Sequence, residues 1–528
     1  MSIRLMDSSV RDGGNVNDWC FGKRVIDGIL NNLACAGIDV IELGYLKNID
    51  FNIDRTLYNT VEESVQNTPK RMRNGQKFSL MVQVDKWDWD KLTACDGSVD
   101  IIRVSFHKTK IEDGIELAKR VISQGYECHM NPINIMGYTD KELLNLVESV
   151  NEVHPKTFTI VDTFGSMDID DIKRIEALLH NNLREDIEIS AHLHENLGLA
   201  FSLALEFISF FYGKRDICVD SSVFGIGRVP GNLCQELIVD YLNKHYNTSY
   251  DIDYIYDTID DFVQKIKEET PWGYAVPYAL SATYNLHRSY SEWLMNQGKL
   301  RTKDIRYILA SIDENERIIY NPQYIRELYE NYLDVYVDDS ETVKELNGVM
   351  SGRNICIIAP GSTLNLNEEK VNSCIQDNKC LSIAINFVPS FLDVDYCFFT
   401  NFKRIRYKSK GLSSKKLIIT SNLLKEDIEA RYCVNYSKLK SFDTVTCEDS
   451  TLCLLNLLKH LECNSIFVAG FDGFKGKNDH YDKYMDNGLN FVEHNDAVRG
   501  ILAKRFGNMD IRFITESVYS DIFHNKNM

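Results

Sequence analysis

The sequence holds only 9 prolines among 528 residues and shows no low-complexity tract, so it is neither a fibrous chain nor a proline-rich spacer. It lacks an excess of positive charge. With 59 Lys and Arg against 77 Asp and Glu, the net charge is −18, which leaves no basic field for a phosphate backbone or an anionic membrane surface. Nucleic acid is therefore not an expected partner. No run approaches the roughly 18 apolar residues of a membrane-spanning helix, and the first residues, MSIRLMDSSVRDGG, turn polar too early for a secretory leader. Fourteen cysteines are scattered without a C-x-x-C pair, the pattern of reduced thiols rather than a disulfide framework. A cytoplasmic protein is the expectation.

What is present is a hydrophobic fraction of 44%, enough for full cores, and a length that allows two or three domains. Eight short apolar runs begin at Ile3, Val40, Ser79, Ile101, Glu127, Phe158, Ile187 and Ile217. Most are followed by an amphipathic helical stretch such as GIELAKRVIS or KELLNLVESV. Eight such units within about 225 residues predict a closed (β/α)8 barrel rather than an open sheet. The domains expected are a TIM barrel over 1–245, a helical appendage and linker over 246–345, and an open Rossmann-like α/β domain over 350–528. The whole is α/β.

Polar residues gather at the carboxyl ends of the eight runs: Asp7, Glu42, Gln83, Arg103 with Ser105 and His107, Asn131, Asp162 with Thr163, His192 with His194, and Asp220. One alone marks where a buried strand meets solvent; eight together mark the mouth where barrel enzymes keep their sites. The sharpest set is Asp12, beside Arg11 after the first strand, and His192 with His194 on the seventh. Residues two apart on a strand face the same way. Two imidazoles and one carboxylate suit a divalent ion and leave positions open for a chelating substrate. The bland alternative is a strand-capping histidine and a simple Arg11–Asp12 pair.

These motifs carry a resemblance. Asp7 to Gly13 (DSSVRDG), Glu42 in VIELG, His192-Leu193-His194 followed by NLGLA, and GIGRVPGN over 225–232 are similar to the DRE-TIM metallolyase superfamily. It includes 4-hydroxy-2-oxovalerate aldolase, HMG-CoA lyase and isopropylmalate synthase. The resemblance covers about residues 1–300. It implies that Asp12, His192 and His194 bind Mn2+ or Mg2+, that Asn232 is a further ligand as in the lyases and synthases, and that Arg11 stabilises an enolate with Glu42 orienting it. The implied reaction makes or breaks a C–C bond next to a 2-oxo acid, with a second carbonyl compound as acceptor. Arg103 and Arg228 are expected to bind substrate. Asn15 stands where the aldolases carry a proton-transferring histidine, and no glycine-bordered cysteine lies near Asn232, so His107, Tyr138 and Tyr274 are the candidates for moving the proton.

In the last third, the turn Ala359-Pro360-Gly361-Ser362-Thr363 follows a strand, and Asn386, Asn401 and Asp472 close later ones. A glycine-containing turn before a helix can cradle a phosphate, though most bind nothing. The pattern PGSTL, AINF, DYCFFTN and VAGFDGF with His480-Tyr481 more loosely resembles sialyltransferase-like nucleotide-binding proteins of bacterial surface-glycan pathways. That resemblance implies a nucleotide or nucleotide-sugar site at Gly361, Ser362, Asn386 and His480. The combined expectation is a homo-oligomeric, bifunctional enzyme: a metal-dependent aldolase or lyase fused to a transferase-like domain in surface polysaccharide synthesis. The alternatives are a Claisen-type acyl-CoA condensing enzyme, or an inactive barrel serving as a scaffold.

Overall fold

A computed structural model describes residues 2–408, 412–426, 428–440, 449–474 and 491–526. His480 lies outside the described residues. The chain forms two compact units: one from Met1–Arg288 with Arg317–Ile319, the other from Ser289–Glu316 and Tyr320–Met528.

The first unit is the expected barrel. Its strands are β1 (Ile3–Asp7), β2 (Val40–Leu46), β3 (Lys77–Gln83), β4 (Ile101–Phe106), β5 (Glu127–Pro132), β6 (Thr157–Asp162), β7 (Glu188–Leu193) and β8 (Ile217–Ser221). All pair in parallel with their neighbours. The ring closes because β1 pairs with both β2 and β8, Met6 lying opposite Val40 on one side and Asp220 on the other. A two-residue strand, Leu57–Tyr58, adds to β2 as a spur whose shortness hid it in the sequence.

Outer helices α1 (Lys23–Ala36), α2 (Ile111–Ser123), α3 (Asp140–Val153), α4 (Ile169–Asn182), α5 (Ala200–Phe211) and α6 (Gln235–His245) cover the strands. In α3, Leu143, Leu146, Val147 and Val150 recur every three or four residues and are buried, so the helix turns one apolar stripe inward. It starts where Thr139 and Glu142 form a capping box, and α4 starts where Asp168 accepts from the backbone of Asp170 and Asp171 at 2.9 and 3.0 Å.

Strand residues alternate between the helix layer and the barrel interior. Leu5, Ile41, Ile102 and Val219 pack in the large cluster shared with the helices, while Met6, Val40, Ile101 and Cys218 form a separate buried group. Stepping two residues onward from Val40, Ile101 and Cys218 gives Glu42, Arg103 and Asp220, a polar layer directly above an apolar one. This alternation is what carries charged side chains into the barrel beneath its mouth.

The second unit holds a seven-stranded parallel sheet: β9 (Ile355–Ile358), β10 (Leu381–Ile385), β11 (Tyr396–Phe399), β12 (Leu417–Thr420), β13 (Tyr432–Val434), β14 (Ser465–Ala469) and β15 (Asp510–Phe513), in the order β13-β12-β11-β10-β9-β14-β15. The strand order reverses between β9 and β14, where doubly wound sheets open a crevice at their carboxyl edge. Helix Thr302–Ala310 belongs to this unit, in which Arg301 and Lys303 both pair with the buried Glu426. No described helix is long and apolar enough to cross a membrane, and thirteen cysteines among the described residues are free thiols.

Candidate metal centre at the barrel mouth

The loop after β1 is held from below, Thr56 Oγ1 donating to the Val10 carbonyl at 2.7 Å and Trp19 Nε1 to that of Arg11 at 2.6 Å. This fixes Arg11 and Asp12 over the barrel. On the opposite side β7 runs out into His194, which bridges to Asn232, and Glu195 N donates to Gly231 O at 2.9 Å, so the loop after β8 lies against the end of β7. One ligand atom each from Asp12, His192 and His194 lies within 4.8 Å of the others, and all three residues are buried.

Both imidazoles are oriented by their far nitrogens. His192 Nδ1 meets Asp220 Oδ2 at 3.1 Å, and His194 Nδ1 meets the Asp162 carbonyl at 2.9 Å. With Nδ1 the donor in each, Nε2 carries the lone pair, the arrangement that metal-ligating histidines adopt. Asn232 Nδ2 donates to Asp12 Oδ2 at 2.9 Å, which leaves the amide oxygen Oδ1 buried without a hydrogen-bond partner. Gly227 must be glycine, because a Cβ there would stand 2.5 Å from Asn232 Nδ2 and 2.8 Å from Asp12 Oδ2.

The donor set passes the test for a divalent cation. Two imidazole nitrogens and a carboxylate converge in one buried place, and the Asn232 amide bonded to that carboxylate has a buried oxygen that lacks a partner. Burial pushes Asp12 upward, but Arg11 and His194 outweigh it and hold the carboxyl well below its ordinary range. Burial pulls His192 down against its hydrogen bond to Asp220, which keeps the ring neutral and able to ligate.

Arg11 is built into this centre. Its Nε donates to Glu42 Oε2 at 2.7 Å and its Nη1 to Asp12 Oδ1 at 2.6 Å, while Nη2 is buried with no hydrogen-bond partner. Arg103, 1% exposed, lies beneath: Nη1 reaches Glu42 Oε2 at 3.1 Å, and Nη2 reaches Asn131 Oδ1 at 3.2 Å and Asp220. All its described hydrogen bonds go to protein groups. Asn15 Nδ2 donates to the backbone oxygen of Asp12 at 2.8 Å, so this amide braces the ligand loop.

Of the remaining expected residues, Arg228 lines the mouth together with His194, and its backbone N–H approaches Asp12 Oδ2 at 3.3 Å. His107 follows β4. Its pKa is lowered by burial and by the charges of Lys86 and Arg228. Tyr138 is buried with its hydroxyl unpaired, whereas Tyr274 is 62% exposed. Asp220, placed at the mouth by the sequence without a role, orients His192, and two contributors escaped the sequence reading: Ser190, whose Oγ donates to Asp220 Oδ1 at 2.9 Å, and Arg288 beside the mouth. Inward alternation of Ser190 with His192 along the strand is the signal that points to the first.

Comparison with known proteins then decides the family of this part. The HMGL-like family model matches residues 92–263. These residues are an HMGL-like domain. Relatives of the HMGL-like barrel include a 4-hydroxy-2-oxovalerate aldolase of Moorella thermoacetica, 26% identical over 277 residues, covering 50% of this chain and 78% of that protein. An oxaloacetate decarboxylase of Mycobacterium tuberculosis is 24% identical over 256 residues, covering 48% and 74%. Among solved structures, the HMG-CoA lyase of Brucella melitensis overlays with a TM-score of 0.42 at 17% identity, covering 50% of this chain and 98% of its own.

In the second unit, Gly361, Ser362 and Asp472 gather where the sheet order reverses. Gly361 N donates to Gly470 O at 2.8 Å, and Thr363 donates to Asp472 through N at 2.9 Å and Oγ1 at 2.5 Å. The Asp472 carboxylate thus takes the Thr363 N–H, and a backbone carbonyl takes that of Gly361. Asn386 donates to Ser450 Oγ at 2.8 Å and accepts from Thr400 N at 2.9 Å. His494 Nε2 meets Asp449 Oδ2 at 3.3 Å.

Proposed function

We propose that the barrel is a divalent-metal-dependent aldolase or related C–C lyase that acts on a 2-oxo acid. The observation that carries this reading is the buried Asp12, His192 and His194 set with both Nδ1 atoms engaged, lying beside a guanidinium that has one nitrogen to spare. The names of the relatives, an aldolase and a 2-oxo acid decarboxylase, support the same class: each breaks a bond to a carbon next to a 2-oxo acid group.

Asp12, His192 and His194 would hold the ion, Mn2+ or Mg2+, with Asn232 Oδ1 as the fourth protein donor. When bound, the cation supplies Lewis-acid polarisation of the carbonyl it faces. Arg11 places a fixed N–H donor where negative charge develops on the substrate oxygen, and Glu42 keeps the guanidinium from swinging, so little reorganisation is needed during reaction. His107, neutral at pH 7 because burial and cations depress its pKa, is the base or acid that moves the proton. Asn15 cannot do so. Arg228 binds the substrate from the loop after β8, and Arg103 acts through Glu42 and Asp220.

For the second unit, the reading is a nucleotide or nucleotide-sugar site of a transferase, in bacterial surface polysaccharide synthesis. The crevice at β9 and β14 and the polar groups of Asn386, Thr400 and Asp449 at the sheet edge support it. Asp472 must yield the Thr363 N–H, and Gly470 O that of Gly361, if a phosphate is to sit at the turn.

Incubating the protein with Mn2+, pyruvate and a panel of aldehydes, with products read by mass, tests the barrel. No product, and no loss of methyl protons from pyruvate in D2O, overturns the proposal. A thermal-shift screen with CMP, UDP and GDP compounds tests the second unit, and no shift with any of them counts against it.

A further inference from the structure

Strand β2 carries an irregularity just above Glu42. Against β3 it pairs Ile41 with Phe78 and Glu42 with Ser79, but then Gly44 with Leu80 and Tyr45 with Met81, so Leu43 is one residue in excess. An extra residue reverses the alternation beyond it. On β3, Phe78, Leu80 and Val82 pack in the cluster shared with the helices, which leaves Ser79, Met81 and Gln83 facing the barrel interior. Leu43 and Leu46 belong to the same helix-side cluster, so Tyr45, opposite Met81, faces inward although a regular strand would turn it out. The spur Leu57–Tyr58 fixes the shifted register: Tyr45 N donates to Thr56 O at 3.0 Å and Lys47 N to Tyr58 O at 2.9 Å. Gly44 permits this approach, since a Cβ there would stand 2.2 Å from Thr56 O.

The re-aimed phenol completes a polar strip across three strands. Tyr45 Oη donates to Gln83 Oε1 at 3.1 Å, and Gln83 lies opposite Ser105 of β4, whose Oγ donates to Val82 O at 3.0 Å and keeps lone pairs to accept with. Burial pushes the Tyr45 pKa up, against the charge of Arg11 and a hydrogen bond with Ser105, so the hydroxyl stays neutral. Tyr45 and Gln83 are half-buried, and the Gln83 amide nitrogen donates to no described group. The strip adjoins the metal centre: Arg11 holds Asp12 through Nη1 and, through Nε, Glu42 of the strand that carries Tyr45. His107 follows Ser105 by two residues.

We infer that Tyr45, Gln83 and Ser105 form the subsite for the carbonyl acceptor, and that this acceptor is a hydroxyaldehyde, the open-chain form of a short sugar, with its hydroxyl held by Gln83 and Ser105. This rests on the aldolase reading of the metal centre. Addition joins the methyl carbon of pyruvate to the aldehyde carbon, and the proton that the methyl group loses ends on the aldehyde oxygen as the new hydroxyl. That oxygen must meet the group that moves the proton, so the acceptor lies near His107 at the end of β4 and its other carbons lie along the strip. A hydroxyl there accepts from Gln83 Nε2 and donates to Ser105 Oγ, whereas an unsubstituted aldehyde displaces their water and leaves both unpaired. Tyr45 acts through Gln83 by deciding which edge of the amide faces the substrate, and is a positioning residue.

Kinetics can read this discrimination. With Mn2+ and pyruvate, glycolaldehyde against acetaldehyde and lactaldehyde against propanal form two pairs that differ by one hydroxyl next to the carbonyl. In the unaltered protein the hydroxylated member should show a kcat/KM at least about tenfold higher, since a site built to bond a hydroxyl discriminates against the analogue lacking it. The hydroxyl also makes the carbonyl more electrophilic, but that factor is common to every variant, so the change in ratio reports the subsite. Gln83→Leu should lower both ratios about tenfold, and Tyr45→Phe, which keeps the ring, about threefold, each through the KM of the hydroxylated member. Circular dichroism verifies that both variants are folded. Exchange of pyruvate methyl protons in D2O without aldehyde, measured on the unaltered protein, reports on the aldolase reading alone. Exchange accompanied by ratios that both variants leave within about twofold of the unaltered protein, or by no product from either hydroxyaldehyde, overturns the subsite. No exchange overturns the aldolase reading, and the subsite with it.

Discussion

Asp220 sits one layer below the metal ligands, and replacing it with asparagine isolates what its charge does. Its Oδ2 receives both His192 Nδ1 at 3.1 Å and Arg103, and its Oδ1 receives Ser190 Oγ at 2.9 Å. An asparagine of the same shape can keep an oxygen toward His192 and Arg103 and turn its amide toward a hydroxyl that can also accept. The hydrogen bonds survive, but one negative charge is lost. In the buried cluster, Arg11 and Arg103 contribute two positive charges, and Asp12, Glu42 and Asp220 three negative ones, a balance of −1 that favours a cation. With Asp220→Asn the balance is 0. Carboxylates behind metal-ligating histidines are worth about 10- to 100-fold in affinity, or roughly 1.4–2.7 kcal/mol. Asp220→Asn should fall near the lower figure and Asp220→Ala, which also frees the His192 ring, near the upper. Calorimetric titration of Mn2+ into chelator-treated protein measures both, with circular dichroism to verify that each variant is folded. If Asp220→Asn binds Mn2+ within twofold of the unaltered protein while His192→Ala loses binding, the argument from charge balance is refuted.

Three further outcomes follow from the same structure. His107→Gln should slow exchange of pyruvate methyl protons by about 100-fold or more, the usual scale for general-base removal; because the His107 pKa is lowered, the unaltered protein should lose rate only below pH 6.5, and a limb above that pH excludes His107 as the base. Glu176 on α4 is fully buried with both carboxylate oxygens unpaired, and burial, then Glu206, pushes its pKa up to about 8. The folded state holds that proton more tightly than the unfolded chain, so the cost is absent below about pH 4.5 and grows to an upper bound of roughly 4–5 kcal/mol above pH 8. Glu176→Gln should therefore raise the melting temperature more at pH 8.5 than at pH 5, and an equal shift at both contradicts the assignment. In the second unit, Gly361→Ala would bring a Cβ to 2.3 Å from Gly470 O and 2.5 Å from the Asp472 carboxyl; a loss of about 1–3 kcal/mol is expected from such overpacking, and unchanged melting of the second unit would show that the turn can give.

The sequence already determined the barrel, because eight apolar runs joined by amphipathic segments have few other ways to bury themselves. It also marked Asp12, His192 and His194, since a motif on the first strand and an i, i+2 pair on the seventh meet only if the ring closes. Alternation along single strands further contained the inward sets of Ser190 with His192 and Cys218 with Asp220, though nothing in one strand says which neighbour its side chain will meet. Tertiary structure alone decided the rest. It put Arg103 beneath the centre rather than in the mouth, because β4 delivers that residue one layer below Asp12, where Glu42 and Asp220 neutralise it. It left Tyr274 in solvent, it tied Thr363 of the Gly361 turn to Asp472, and it brought Arg288 from beyond the last barrel helix to the carbonyl next to Arg228. Pairings across tens or hundreds of residues depend on chain closure and on which charges are buried together, and neither local pattern nor spacing encodes them.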